Sequence, residues 1–219
     1  MPASTPVPRT LQGRYISLEP LSPSHADELY DAIGHPSVFA GGYGGGPAGF
    51  QPTREGFREF VARYYPWTTG ITYGARMVGG SAAGRLVGTS TLSDFDETRE
   101  HAHIGWTAWS PTVWSSAVNP EAKLLMLGEA FDHGFGRVKL QADALNSRSR
   151  AAILKLGATF EGIVRRDMLR ADATWRDSAV YSITIDDWPS VRSSLQKRLE
   201  RFDGLVTPAS ADVRSGDGD

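Results

Sequence analysis

Apolar residues recur along this chain with two periods, and the changes from one to the other divide it into elements. From Gly13 to Leu21 the pattern is that of a strand: Tyr15 and Ile16 open it and Leu18 follows two residues later. Ser24 to Ile33 reads as a helix closed by Gly34 and Pro36. Thr53 to Tyr65 reads as a second, with Phe57, Phe60, Val61 and Tyr64 on one stripe. The glycine-rich run Ala40 to Gly49 between them is expected to be the most flexible stretch inside the fold. Three strands follow, Ile71 to Val78, Leu86 to Leu92 and His103 to Trp109, the first two joined by a hairpin at Gly79 to Gly84. A central helix is predicted over Pro120 to His133, ended by Gly134 and Gly136. Val138, Leu140 and Ala142 alternate in a further strand, and Ser147 to Leu156 is a helix stopped by Gly157. Ile163 to Leu169 and Ala179 to Ile185 form a last hairpin before an amphipathic helix from Trp188 to Phe202. The order is mixed α/β, with antiparallel strands first and a β-α-β-α-β unit in the middle.

Composition narrows the options. With 219 residues, 40% hydrophobic and 22% charged, the chain suits one globular domain over residues 11 to 202. A loose N-terminus (1 to 10) and a disordered, Gly- and Asp-rich tail (203 to 219) are expected to flank it. The formal charge is −2, and Lys and Arg are scattered, which argues against nucleic acid and membrane as partners. No apolar run reaches membrane-spanning length, and Met1 to Pro8 has no signal-peptide pattern, so a soluble, cytoplasmic protein is expected. The absence of cysteine excludes thiolate nucleophiles, disulfides and cysteine metal sites. No G-x-G-x-x-G follows a strand at a helix start, which argues against a dinucleotide oxidoreductase.

Candidate chemistry begins where the strand ending at Trp109 runs through small residues into a helix. Ser115, Ser116 and Ala117 would let an anion approach the backbone. Asn119 is the expected N-cap, worth about 1 kcal/mol over Ala, with Pro120 at the first helical position. Free N–H groups and the positive end of the helix dipole make such a junction suited to phosphate or pyrophosphate. Many strand-to-helix junctions of this kind bind nothing.

Downstream, Asn146, Ser149 and Gly157 give N-x-x-S-x-x-x-x-x-x-x-G, and Glu161-Gly162 follows. Together with Leu11 to Leu21 and Trp175 to Ser182, these segments resemble the GNAT acetyltransferase superfamily, in particular its RimJ/RimL-like branch, over about residues 11 to 200. The resemblance implies an α+β GNAT fold: a central, mostly antiparallel twisted sheet, splayed at one strand pair and flanked by helices. It implies acetyl-CoA or another acyl-CoA as co-substrate, with no metal. The pantetheine arm would pair with Thr107, Ala108 and Trp109, and the pyrophosphate would sit on the amides of Ser115, Ser116, Ala117, Val118 and Asn119. Asn146 would hold the pantetheine amides, and Ser149 would lie near the sulfur as the acid, since Ile153 stands where many members have a tyrosine. The family loop's basic residue is missing here. His103 is the first candidate base and Asp94 the second, against the plainer reading of His103 as a partly exposed strand histidine. The acceptor would be an amine of a protein N-terminus, a lysine or a small molecule. The glycine-rich loop would admit an acyl group as long as succinyl or serve only as a connector. Homo-oligomers are frequent among relatives. The alternative is a CoA-binding regulatory relative without turnover.

Overall fold

A computed structural model describes residues 2–202; the expected tail, 203 to 219, lies outside the described residues. The elements run β1 (Leu11–Gln12), β2 (Ile16–Pro20), α1 (Ala26–Ile33), α2 (Pro36–Phe39), α3 (Arg54–Tyr64), β3 (Ile71–Met77), β4 (Leu86–Asp96), β5 (His101–Trp109), α4 (Val118–Asp132), β6 (Arg137–Asp143), α5 (Ser147–Leu154), β7 (Thr159–Leu169), β8 (Trp175–Thr184) and α6 (Trp188–Leu199). The strands form an eight-stranded sheet in the order β1-β2-β3-β4-β5-β6-β8-β7. Every neighbouring pair is antiparallel except β5 with β6. That is the α+β, mostly antiparallel architecture expected.

Each face of the sheet carries its own core. Alternation along β4 sends Val87 to one side and Leu86 to the other. On the first side Val87, Tyr73 and Ile104 pack with Met126 and Leu127 of α4 and with Trp188 and Leu195 of α6. On the second, Leu86 and Ala108 meet Leu29, Ile33, Phe39, Phe57 and Val61 from α1, α2 and α3. Because helices cover both faces, the first eight residues of β4 are all buried.

Helix α4 is enclosed on nearly every side, and three charged residues are buried with it: Glu121, Lys123 and Glu129. A buried charge needs partners. Glu121 accepts hydrogen bonds from the backbone N–H of Arg14, Tyr15 and Ile16 at 2.7–2.8 Å. Gly13 permits this approach, since a Cβ there would lie 2.6 Å from the Glu121 carboxyl carbon. Glu129 pairs with Arg9. Residues 2–10 form no helix or strand, yet they are held: Ala3 is buried in the core, Ser4 N–H donates to His133, and Thr5 bonds Glu97.

Several elements differ from expectation. The strand expected from Gly13 is β2 and starts at Ile16, because Gly13 to Tyr15 form the turn from β1 that wraps the Glu121 carboxylate. The last two strands are longer than predicted, as each supplies pairing to the other where side chains are too exposed to alternate in polarity. The short α2 and its His35 cap were not anticipated.

The glycine-rich loop is ordered by tertiary contacts. Tyr43 is buried among Phe39, Phe60 and Tyr64, and its hydroxyl meets that of Tyr65. The Gly44 N–H donates to the Tyr64 hydroxyl at 3.1 Å. The Gly41 carbonyl accepts from the Asn146 side chain, and the Gly45 carbonyl from the Ala171 N–H. Gly42, Gly44, Gly45 and Gly46 all have positive φ, which explains the composition.

Candidate functional site at the parted sheet

Strands β5 and β6 pair at only three positions, His101 with Arg137, Ala102 with Val138 and His103 with Lys139. Beyond them the strands part. A bulge begins the divergence. Thr89 pairs with Ala108 and Thr91 with Gly105, so β5 carries an extra residue opposite Ser90. Trp106 takes a φ of 48°, costly for a large side chain, and its indole N–H is held by the Tyr64 carbonyl at 3.1 Å.

The parted strands enclose a cavity of about 470 Å³, within the range of small-molecule sites. Trp106, Thr107, Ala108 and Trp109 line one wall, with Gln141, Ala142 and Asp143 of β6 opposite. Ser115, Ser116 and Asn119 lie at one end, and Asn146 and Ser149 border it from α5. The loop residues Gly41, Gly42 and Tyr43 form part of its edge. Ala117 and Val118 are completely buried and do not reach the lining.

The start of α4 differs from the expected cap. Val118 is its first residue, which places Asn119 inside the first turn. The Asn119 Oδ1 accepts instead from the Trp109 indole at 2.9 Å, and the Ser116 Oγ takes the Val118 N–H at 3.2 Å. Ser116 N–H donates to Val113. The N–H groups of Ser115, Ala117 and Asn119 have no partner among the described residues. Ser115 has a φ of 63°, the conformation that glycine would supply in such a loop.

Asn146 caps α5. Its Oδ1 accepts from the Ser149 N–H at 2.9 Å, while its Nδ2 donates to the Gly41 carbonyl. Both ends of its amide are thus engaged within the protein. The Ser149 hydroxyl has no protein partner among the described residues and borders the cavity. Ile153 is buried in the core and offers no polar group.

His103 is buried, not partly exposed, and its Nδ1 lies 3.0 Å from the Asp94 Oδ2. The hydrogen bond from His103 holds the Asp94 carboxyl down to about 2, and burial pushes the imidazole below its usual value. A neutral ring donating from Nδ1 leaves a lone pair on Nε2, which is buried and unpartnered. The two candidate bases therefore form one dyad. Neither lines the cavity.

Sequence reading overlooked several groups. The Lys123 ammonium is buried against two neutral hydroxyls, Ser90 Oγ at 2.9 Å and Thr107 Oγ1 at 2.7 Å, and burial lowers its pKa to about 7. Its position one turn from Met126 and Leu127, in the apolar stripe, was the available signal. Arg148 of α5, Lys155 just after it and Arg198 of α6 also line the cavity. Arg148 stacks 3.5 Å over the Trp114 ring. Arg176 reaches it from β8. Among the described residues no cluster of metal-ligating side chains occurs, and no helix is long and apolar enough to cross a membrane.

A sheet parted at a parallel pair, with bare amides at the helix start that follows, defines an acetyltransferase architecture. The chain belongs to the GNAT acetyltransferase family, whose acetyltransferase (GNAT) domain model matches residues 16–159. It is an enzyme of that class, and acyl-CoA is the donor in such enzymes. Its structure resembles that of a GCN5-related N-acetyltransferase from Brucella melitensis, with 27% identity, a TM-score of 0.81, and 94% of this chain and 93% of that one covered. Mycobacterium smegmatis RimJ, solved with CoA-disulfide, shares the fold at 17% identity and a TM-score of 0.69, over 87% of this chain and 95% of its own. No curated protein matches the chain.

Proposed function

We propose that this chain transfers an acyl group, acetyl or succinyl, from a CoA thioester to a primary amine in the manner of the RimJ/RimL-like branch. The observation that carries the reading is the gap between β5 and β6, which ends at the unpartnered amides of Ser115 and Asn119 on the cavity lining. In this reading the pyrophosphate rests on the amides of Ser115 and Asn119 with Ser116 beside it, while Ala117 and Val118 are shut off from the cavity and the Val118 N–H is held by the Ser116 Oγ. Pantetheine lies along Thr107, Ala108 and Trp109 at the open edge of β5, where the Trp109 carbonyl already accepts from the Trp114 indole N–H. Asn146 meets it only by sharing or exchanging its bond to Gly41.

The amine nitrogen attacks the thioester carbonyl, and a β5 backbone N–H steadies the oxyanion. The C–S bond then breaks, the thiolate takes the Ser149 proton while water returns one to Ser149, and the products are an amide and free CoA. The proton lost by the amine passes to the His103–Asp94 dyad through water, since neither residue lines the cavity. The acceptor is an amine of a protein N-terminus, a lysine or a small molecule, the enzyme works in the cytoplasm, and a homo-oligomer is compatible with all of this.

The test is release of free CoA thiol from acetyl-CoA and succinyl-CoA across a panel of amines, with CoA binding measured beside it. Amine-dependent release supports the reading. Tight CoA binding without release for any pair refutes it.

A further inference from the structure

Arg148, Lys155 and Arg198 are cations that line the cavity from α5, its C-cap and α6, but Arg176 comes from a different element and has a different environment. It stands on β8 opposite Met168 of β7, two residues before the last pairing of β8 with β6, Ser178 with Asp143. Its side chain therefore passes the end of β6 and reaches the cavity wall. The Nε is shut off from solvent and has no acceptor. No carboxylate among the described residues pairs with the guanidinium. Asp143, the nearest candidate by its influence on Arg176, is already engaged: its Oδ2 accepts from Arg170 Nε and Nη2 at 3.0 and 2.7 Å, and its Oδ1 from the Leu145 N–H.

A partly buried guanidinium with no carboxylate bonded to it is unfavourable, and an anion arriving in the cavity relieves it. The planar fork of an arginine matches the two oxygens of a carboxylate. We propose that Arg176 is a specificity-determining residue that receives a carboxylate carried by a substrate, either at the far end of a dicarboxylic acyl group or on the amine acceptor. The proposal rests on the acyl-transfer reading above and names a substrate class for it.

Two matched pairs of probes distinguish the sources. Succinyl-CoA is compared with butyryl-CoA, and methionine with methioninamide; both kcat/KM and the dissociation constant are measured for each. The parent enzyme should prefer the anionic member of one pair by about 10- to 100-fold, the range of a charge-assisted hydrogen bond. The pair that shows the preference identifies the source. In Arg176→Met that ratio should fall to about 1, and in Arg176→Lys it should keep an intermediate value. Because the quantity is a ratio between two ligands of the same protein, a variant of lower overall activity still reports it. Equal treatment of both pairs by the parent overturns the proposal, whatever the variants do, as does a preference that survives Arg176→Met. If no thioester turns over, the acyl-transfer reading fails separately, and the dissociation constants still decide the role of Arg176.

Discussion

Lys123 should make the stability of this protein rise with pH through a range where most proteins change little. Its ammonium is buried with two hydroxyls and no carboxylate, and its pKa in the folded state is lowered to about 7. In the unfolded chain it returns to about 10.4. Between these values the unfolded state binds the extra proton, so raising the pH favours the folded state. From about pH 7 to about pH 9 the gain is two units at about 1.4 kcal/mol each, less the half proton already lost at the start, or about 2 kcal/mol. His103, whose pKa is also lowered, has already given up its proton in this window and adds no slope. Lys123→Met removes the charge and leaves Ser90 Oγ and Thr107 Oγ1, 2.8 Å apart, to bond each other. The variant should be the more stable form near pH 7, with the difference shrinking by about 2 kcal/mol towards pH 9. Urea unfolding of both proteins at constant ionic strength across this range measures it. Parallel curves would show that Lys123 keeps its proton when buried, and the reasoning would fail.

Other outcomes follow from the same geometry. Asn146→Ala should lower stability by about 1–2 kcal/mol through loss of the α5 cap and the tie to Gly41, and weaken CoA binding; thermal melts and calorimetry read the two effects separately. Ser149→Ala should reduce kcat by about 100-fold with little change in the KM for acyl-CoA, and an unchanged kcat removes it as the acid. His103→Ala and Asp94→Asn should both displace the acidic limb of the pH–rate profile, whereas a preserved profile excludes the dyad. Arg148→Ala with Lys155→Ala should weaken CoA binding by about 10-fold and flatten its salt dependence, while affinity for pantetheine, which lacks the phosphates, stays the same.

The order of elements was legible because each carries its own period. The aromatic stripe of α3 and the alternation of Val138, Leu140 and Ala142 needed no tertiary context. The junction from Trp109 to α4 was also legible in kind, since small residues before a helix announce themselves. Its detail was not. Propensity favours Asn119 as a cap, but the Trp109 indole competes for its oxygen, and that contact depends on how β5 ends. The glycine-rich loop misled for a related reason: composition reports permitted dihedrals, while order came from Asn146 and Ala171, more than a hundred residues away. Arg148, Lys155, Arg176 and Arg198 look like ordinary surface cations until folding brings them to one cavity. The pairing of His103 with Asp94 needed the β4–β5 register, which a bulge shifts.

The Glu121 carboxylate, gripped by three consecutive amides of the first hairpin, joins the opening of α4 to the chain's N-terminal edge. A cradle anchored in this way does not have to be assembled when its guest arrives. The ordering cost has already been met during folding, so little of the guest's interaction energy is diverted to arranging the receptor. Under the acyl-transfer proposal, damage to that hairpin, remote in sequence from the groups assigned to the reaction, would accordingly surface as a slack grip on phosphate.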